Sequence, residues 1–453
     1  MEQINLGTEK IGKLLRKFAI PCIISMVVNA LYNMVDQIFI GWGVGYLGNG
    51  ATNVVFPITV LAMGFAFMLS DGGAAYLSLK LGQKKKDEAS KGVATTIIIA
   101  ATISLIMLIG GLVFLEPLLK LFGCTDGLRP YAISYGRIII LGLPFFILGS
   151  VLNGLIRADG APKYAMFSMV LGAVLNIVLD PIFIFPLQLG VAGAAYATII
   201  SQFVTFLLNA IYIKKFKTVE ISRKLFKFEP KTGLKVIALG ISSFITQISF
   251  VLLIAVQNNL LGKYGVESKF GQDIPITVFG IVMKINQILN SIIIGIAVGS
   301  QPIVGFNYGA KQFDRVRKAL YMTIGCGVTI STLGFLACQL FPEGIAAMFV
   351  DSAKGGDEGL MIAAASQAMR NIVIMFPLVG FQIVAAAFFQ YIGHAKLAIF
   401  VSMTRQMLFL LPLLWIIPRF YGAMGVWVSM PIADCASITL ATILLIRELK
   451  RLK

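Results

Sequence analysis

Long runs of apolar residues dominate the chain, and each run is long enough to cross a bilayer as a helix. A spanning helix needs about 20 consecutive apolar residues. Twelve stretches meet that length, at residues 16–40, 51–79, 93–115, 131–156, 164–187, 190–213, 234–261, 274–300, 317–341, 370–392, 397–418 and 424–446. No stretch alternates apolar and polar residues as barrel strands do. The pattern predicts an all-α polytopic membrane protein with twelve transmembrane helices.

A polar connector at residues 214–233 divides the chain into two halves of six predicted spans, residues 1–213 and 234–453. Marker residues recur in the same order in both halves, as the pairs Gly82 and Gly309, Asp87 and Asp314, Gly160 and Gly393, and Gly190 and Gly422. Both halves start on the same side of the membrane, so the repeat is parallel. We predict two pseudo-symmetric six-helix bundles that rock around a central site; the alternative is a duplicated scaffold without transport.

Composition and charge indicate where the protein is located and how it is oriented. Of 453 residues, 58% are hydrophobic and only 13% are charged, yet the net charge is +17. If the N-terminus lies inside, 28 of the 38 Lys and Arg residues lie on the inner side and seven on the outer side. Such a bias places both termini in the cytoplasm. The excess positive charge therefore reflects the orientation of the helices in a prokaryotic cytoplasmic membrane. We expect the partner of the protein to be the lipid bilayer and not a nucleic acid.

Motifs of catalysis are missing from the sequence. There is no G-x-x-x-x-G-K-[ST] loop for ATP, no H-E-x-x-H and no G-x-S-x-G. The five cysteines form no Cys-x-x-Cys pair, and His394 is the only histidine. We therefore expect neither an enzyme nor a bound cofactor, and an ATP-driven pump with its motor on this chain is excluded.

Polar residues inside three predicted spans of the first half are the strongest functional signal. A charge at bilayer depth costs at least ~2.5–3.5 kcal/mol on insertion scales. On the first span, polar residues recur at helical spacing and form one stripe: Asn29, Tyr32, Asn33 and Asp36. The fifth and sixth spans add two pairs, each one helical turn apart: Asn176 with Asp180, and Thr198 with Gln202.

Depth brings the acidic groups together. With a rise of 1.5 Å per residue, Asp36, Asp180 and Thr198 lie in the outer half of the membrane, within roughly 6 Å of depth. Two carboxylates, an amide and a hydroxyl are hard oxygen ligands for Na⁺, and two buried carboxylates also suit H⁺ transfer. We predict one cation site from Asp36, Asn176, Asp180 and Thr198. The alternative is a hydrogen-bonded network that only holds helices together.

The second half does not repeat the acidic stripe, because the residue matching Asp36 is near Ala255 or Gln257. Its charges suggest other roles. Lys284 faces a cavity or forms a fixed ion pair, and Arg405 and Asp434 are expected to form a structural ion pair. Asp71 lines an inner vestibule or caps a helix break. Weaker candidates for the substrate cavity or for gating are Asn33, Gln202, Asn153, Gln257 and Lys284.

These residues resemble a known family, the multidrug and toxic compound extrusion (MATE) transporters. The resemblance rests on Pro21 with Asp36, the segments 176–181 and 190–198, and Gln301-Pro-Ile-Val-Gly-Phe-Asn-Tyr-Gly-Ala310. It covers about residues 10–446. The acidic pair resembles the DinF-like prokaryotic branch. The family implies a V-shaped pair of bundles and a cation site at Asp36, Asn176, Asp180 and Thr198, with Tyr32 beside it.

The predicted function is a secondary active multidrug efflux antiporter. It exports cationic or amphipathic organic compounds in exchange for H⁺ or Na⁺ by alternating access, and it is expected to act as a monomer. The alternative within the superfamily is a flippase of lipid-linked oligosaccharides or a polysaccharide exporter. From other classes, an uncoupled channel would show a polar stripe in both halves, and this chain shows one in the first half only.

Overall fold

Apolar runs in the first half form long helices, because a bilayer leaves backbone groups no partners outside their own segment. The computed structural model describes residues 5–220, 228–266, 273–348 and 358–452. The first half contains α1 (Ile11–Val44), α2 (Tyr46–Gly82), α3 (Lys86–Val113), α4 (Leu115–Leu121), α5 (Arg129–Ala158), α6 (Pro162–Ile184) and α7 (Gly190–Tyr212). The short helix α4 was not predicted, since its 7 residues give no spanning signal.

The second half contains α8 (Pro230–Gly265), α9 (Asp273–Gly309), α10 (Phe313–Leu340), α11 (Pro342–Ala347), α12 (Glu358–Ile372), α13 (Phe376–Tyr391), α14 (Ala395–Met403), α15 (Leu411–Ile416) and α16 (Pro418–Arg451). A π-helical segment, Thr404–Leu410, joins α14 to α15. In the described residues, eleven helical stretches are long and apolar enough to span a membrane, and one bent pair makes a twelfth. The twelve-span prediction is confirmed.

The tenth span is broken, and its predicted extent of 370–392 was wrong. It consists of α12 and α13, which meet at an angle of 51° across residues 373–375. Polar residues near the end of α12, including Arg370 and Asn371, interrupt the apolar run. The sequence therefore placed the start of the span more than two turns too late.

Backbone angles confirm the internal repeat. Each of the three positive-φ residues described in the second half matches a positive-φ residue of the first half: Lys84 (61°) and Lys311 (59°), Gly160 (90°) and Gly393 (87°), and Gly190 (56°) and Gly422 (56°). Gly422 lies inside α16, where its non-helical backbone makes a kink. The spanning part of α16 thus starts at the same turn that starts α7. Two matched bundles reuse the same turns at the same places.

The two halves pack against each other through crossed helices, α2 on α8 and α1 on α9. Small residues allow the backbones to approach closely. A Cβ added to Gly72 would lie 3.2 Å from the Cα of Gly240, and one added to Gly299 would lie 2.8 Å from the amide nitrogen of Ala19. These matched crossings align Ala19 with Gly240, and continuing along both helices aligns Asp36 with Gln257. The second half therefore has a neutral amide where the first has an acid.

The connector is anchored to the first half by a buried carboxylate. Asp159, in the turn after α5, accepts hydrogen bonds from the backbone N–H groups of Lys217 and Thr218 and from the hydroxyl of Tyr212. Burial raises the pKa of Asp159, while these hydrogen bonds oppose the rise.

Residues 221–227 of the predicted connector lie outside the described residues, as do Lys269 and Lys354, two of the seven cations predicted on the outer side. The division at 1–213, 214–233 and 234–453 stays a prediction, although α8 already begins at Pro230.

Candidate cation site and interlobe cavity

The predicted acidic residues meet where α1, α6 and α7 pack together. The carboxyl groups of Asp36 and Asp180 are close enough to interact with each other. One turn along α6, the side-chain amide of Asn176 donates to Asp180 Oδ1 at 3.3 Å and to Thr198 Oγ1 at 3.4 Å. The four side chains predicted from helical spacing and depth thus form one cluster. We call it the acidic pair site.

Oxygen atoms of this site lack donors. Asp180 is fully buried and Asn176 is 1% exposed, while Asp36 is partly buried. Buried oxygens of all three, namely Asp36 Oδ1, Asn176 Oδ1 and Asp180 Oδ2, have no hydrogen-bond partner among the described residues. Unpaired buried acceptors cost free energy, and charged ones cost more. The arrangement has the chemistry of a receptor for a proton or a small hard cation.

Two tyrosines border the acidic pair. Tyr32, one turn before Asp36 on α1, is close enough to interact electrostatically with both carboxyl groups. Tyr135 of α5 is similarly close to both, and the sequence analysis missed it. The sequence could have revealed Tyr135 by its position, since it lies near the outer end of the fourth predicted span, at a depth similar to that of Asp36. A phenol at each side can donate a hydrogen bond to a carboxylate.

Three weaker candidates form contacts within the first half. Asn33 donates its amide to the backbone carbonyl of Asn29 at 2.7 Å, inside α1. Asn153 joins α5 to α6 by donating to the carbonyl of Ala165 at 2.8 Å, and it accepts a hydrogen bond from Arg157. Gln202 packs against Gly142 of α5. The structure does not bring Asn33 or Asn153 into the acidic pair site.

The candidates of the second half lie apart from the acidic pair. Gln257 is buried on α8, and its amide nitrogen has no partner among the described residues. Lys284 is exposed on α9 and lines a cavity of about 240 Å³. The described part of the chain offers Lys284 no ion pair. The cavity alternative for Lys284 therefore agrees with the structure better than the fixed ion pair does.

Three other charged residues of the predicted spans, Arg405, Asp434 and Asp71, have structural partners. Arg405 Nε lies 2.6 Å from Asp434 Oδ1, which confirms the predicted ion pair. Asp71 on α2 accepts a hydrogen bond from the hydroxyl of Ser243 on α8 at 2.7 Å. The backbone carbonyl of Asp71 accepts another from Gln301 on α9 at 3.0 Å. Asp71 therefore links the two halves. It lies inside the continuous helix α2 and so caps no break, and its lining of an inner vestibule stays a prediction.

Comparison with known proteins identifies the family. The MatE family model matches residues 21–182 and 241–416. Multidrug export protein MepA of Staphylococcus aureus (strain N315) is 26% identical over 450 residues, covering 96% of this chain and 94% of MepA. A multidrug resistance MATE family transporter of the MOP superfamily, solved in an outward-facing conformation, matches with a TM-score of 0.90 and 25% identity, covering 98% and 97% of the two chains.

A second solved structure agrees over the entire length. It is a MOP superfamily transporter from Pyrococcus furiosus, with a TM-score of 0.91, 25% identity and coverage of 100% of this chain and 99% of the other. For that protein, reverse polarity of the binding pocket suggests a different function. The family model matches well over half of this chain, and the twelve-span layout and the internal repeat agree with it. This chain belongs to the MATE family of membrane transporters.

Proposed function

We propose that this transporter is a secondary active exporter of cationic and amphipathic organic compounds, driven by inward movement of H⁺ or Na⁺. It would act as a monomer in a prokaryotic cytoplasmic membrane, with both termini inside. The observation that carries the proposal is the acidic pair site, where two carboxyl groups meet in the membrane and present unpaired oxygens. Export of drugs by MepA, which this chain resembles over 96% of its length, supports the substrate class.

The acidic pair gives a reason for coupling. Two ionised carboxylates in contact repel each other strongly where the dielectric constant is low. A proton or Na⁺ between them removes the repulsion and favours close packing of α1 on α6. Since α1 also crosses α9 at Ala19 and Gly299, a shift of α1 reaches the interface between the halves. The cation changes the conformational equilibrium only as far as it binds one state better than the other.

Purified protein in proteoliposomes tests the proposal. Efflux of a fluorescent organic cation is measured under a pH gradient alone and under a Na⁺ gradient alone. Acceleration by either gradient supports coupled export and names the ion, whereas a response to neither would overturn it. Asp36→Asn and Asp180→Asn keep the side-chain shape but remove the charge, so each should abolish gradient-driven efflux.

A matched control separates the site from general charge effects. Glu116 pairs with Arg129 on the surface, outside the acidic pair site. Glu116→Gln should therefore retain gradient-driven efflux, because exposed ion pairs contribute little. Thermal melting of each variant in detergent establishes that it is folded. Full coupled efflux by a folded Asp36→Asn or Asp180→Asn variant would refute the assignment of the site.

A further inference from the structure

The cavity at Lys284 lies between the two halves and away from their sealed side. Its polar lining comes from α1 and the start of α2 in the first half, and from α9 in the second: Gln37, Asn49, Thr52, Asn53 and Lys284. The close crossings between the halves, at Gly72 with Gly240 and at Gly82 with Ala310, lie toward the other end of α2. The cavity therefore lies between the two halves, near the outer ends of α1 and α2.

The residues that line this cavity favour the binding of a negatively charged group. Lys284 supplies a cation, three amides and a hydroxyl surround it, and Ile38 is the remaining lining residue. Among the residues that the structure describes, no acid lines the cavity. The Thr52 hydroxyl is already engaged, since it donates to the carbonyl of Asn49 at 2.9 Å. The amides of Gln37 and Asn53 have no partner among the described residues, so their N–H groups are available to a ligand.

Size limits what the cavity can hold. Pockets for whole drug-sized ligands are typically about 300–1,000 Å³, and this one is about 240 Å³. It suits one polar group of a larger molecule, with the rest of the molecule lying outside the cavity. An ammonium group would be repelled by Lys284. A carboxylate or phosphate would gain a charge-assisted hydrogen bond from Lys284 and neutral ones from the amides.

We propose that the Lys284 cavity binds the anionic group of an amphipathic ligand, so that this exporter handles zwitterionic and acidic compounds besides cations. The inference rests on the proposed export function and extends its substrate class to compounds that carry an anionic group. The cavity and the acidic pair share α1, where Gln37 lines the cavity and the neighbouring Asp36 belongs to the pair. A ligand in the cavity thus contacts the helix that carries the coupling site.

Equilibrium binding to purified protein tests this inference without any gradient. The probes are rhodamine B, which has a free carboxylate, and its ethyl ester, which differs only in masking that group. Fluorescence polarisation in phosphate-free detergent gives both dissociation constants. We expect the wild-type protein to bind the acid about tenfold more tightly than the ester, a difference of about 1.4 kcal/mol. Lys284→Met should reduce this ratio to about one, and it should bind the cationic ester at least as tightly as before.

Two further variants keep the test decisive. Lys284→Arg retains the charge and should retain the preference for the acid, which guards against loss of folding in the Met variant. Lys263→Met removes another lysine from the outer end of α8 and should leave the ratio unchanged. Equal binding of acid and ester by the wild type, or an unchanged ratio in Lys284→Met, would overturn the inference. Gradient-driven efflux of the ester would still support the export function in that case.

A competition experiment with lipid shows whether the anionic group in the cavity comes from a lipid headgroup or from a substrate. Phosphatidylglycerol is added to the micelles, and binding of the acid is measured again. Competition in the wild type but not in Lys284→Met means that a lipid headgroup occupies the cavity. A lack of competition with retained preference for the acid assigns the cavity to the substrate. Either result supports an anion site at Lys284.

Discussion

Asn176 holds the acidic pair site together at the level of single residues. Its amide bridges Asp180 on its own helix and Thr198 on α7, and its carbonyl oxygen remains free. The residue therefore orients one carboxylate and offers an oxygen of its own. Helical spacing on the sequence placed Asn176 and Asp180 on one face, but only the packing of α6 on α7 brings Thr198 to them.

Replacement of Asn176 tests this role. Asn176→Leu removes the bridge and one candidate oxygen, so the half-saturating concentration of the coupling cation should rise roughly 10–100-fold. Thr198→Val removes only a hydroxyl, worth about 1 kcal/mol, and should raise it roughly fivefold. Asn153→Leu is the matched control, because Asn153 is also a buried, hydrogen-bonded asparagine. It should lower the melting temperature without moving the cation dependence; a shift equal to that of Asn176→Leu would contradict the assignment.

The ion pair of Arg405 and Asp434 gives a second test at this scale. Removing one partner of a buried pair leaves an uncompensated charge and costs about 3–5 kcal/mol. Arg405 keeps 25% of its side chain exposed, so we expect about 2 kcal/mol for Arg405→Leu or Asp434→Leu. The double Leu variant should recover most of the loss, as measured by thermal unfolding in detergent. A double variant as unstable as the sum of the singles would show that the two residues act independently.

At the scale of helices, close approach between α2 and α8 depends on two glycines. A Cβ on Gly72 would lie 3.0 Å from the backbone nitrogen of Gly240, and one on Gly240 would lie 3.1 Å from the nitrogen of Gly72. Backbone atoms cannot move aside as a flexible side chain can. The contact is reciprocal, so either substitution separates the helices.

Gly72→Ala and Gly240→Ala should each lower thermal stability and slow efflux several-fold, because the halves no longer close at this crossing. Gly110 of α3 is the matched control, since a Cβ added there meets nothing within 4 Å. Gly110→Ala should be neutral or stabilise the protein by about 0.5–1 kcal/mol, the usual gain of Ala over Gly in a helix. Normal melting and efflux in Gly240→Ala would show that the crossing tolerates a wider separation.

Helices and site residues differ in how far the sequence predicts them. Apolar length predicted the twelve spans, because the bilayer imposes that length on every helix. It missed the break between α12 and α13, since residues 373–375 are apolar and continue the hydrophobic run of the predicted span. Periodicity within a span predicted Asn176 with Asp180. It did not predict Tyr135, or the bonds of Asn153 across to α6, because contacts between helices depend on rotation about each helix axis.

The whole molecule is arranged around reciprocal contacts between its halves. A Cβ on Gly82 would lie 2.9 Å from the nitrogen of Ala310, and one on Gly309 would lie 3.2 Å from the nitrogen of Gln83. These residues belong to the matched turns after α2 and α9, on the side that the charge bias predicts to be cytoplasmic. The Lys284 cavity and the acidic pair lie toward the opposite side. The structure therefore combines a closed predicted inner side with sites near the outer side.

Alternating access requires this inner contact to open, and a cross-link tests it. Gln83→Cys and Ala310→Cys are combined in a background where the accessible native residues Cys124, Cys326 and Cys435 are serine. Oxidation should join the halves and abolish efflux in proteoliposomes, and reduction should restore it. Each single cysteine variant, treated in the same way, should transport normally. Undiminished efflux from fully cross-linked protein would mean that the turns after α2 and α9 stay together throughout the cycle, and that the inner side opens elsewhere.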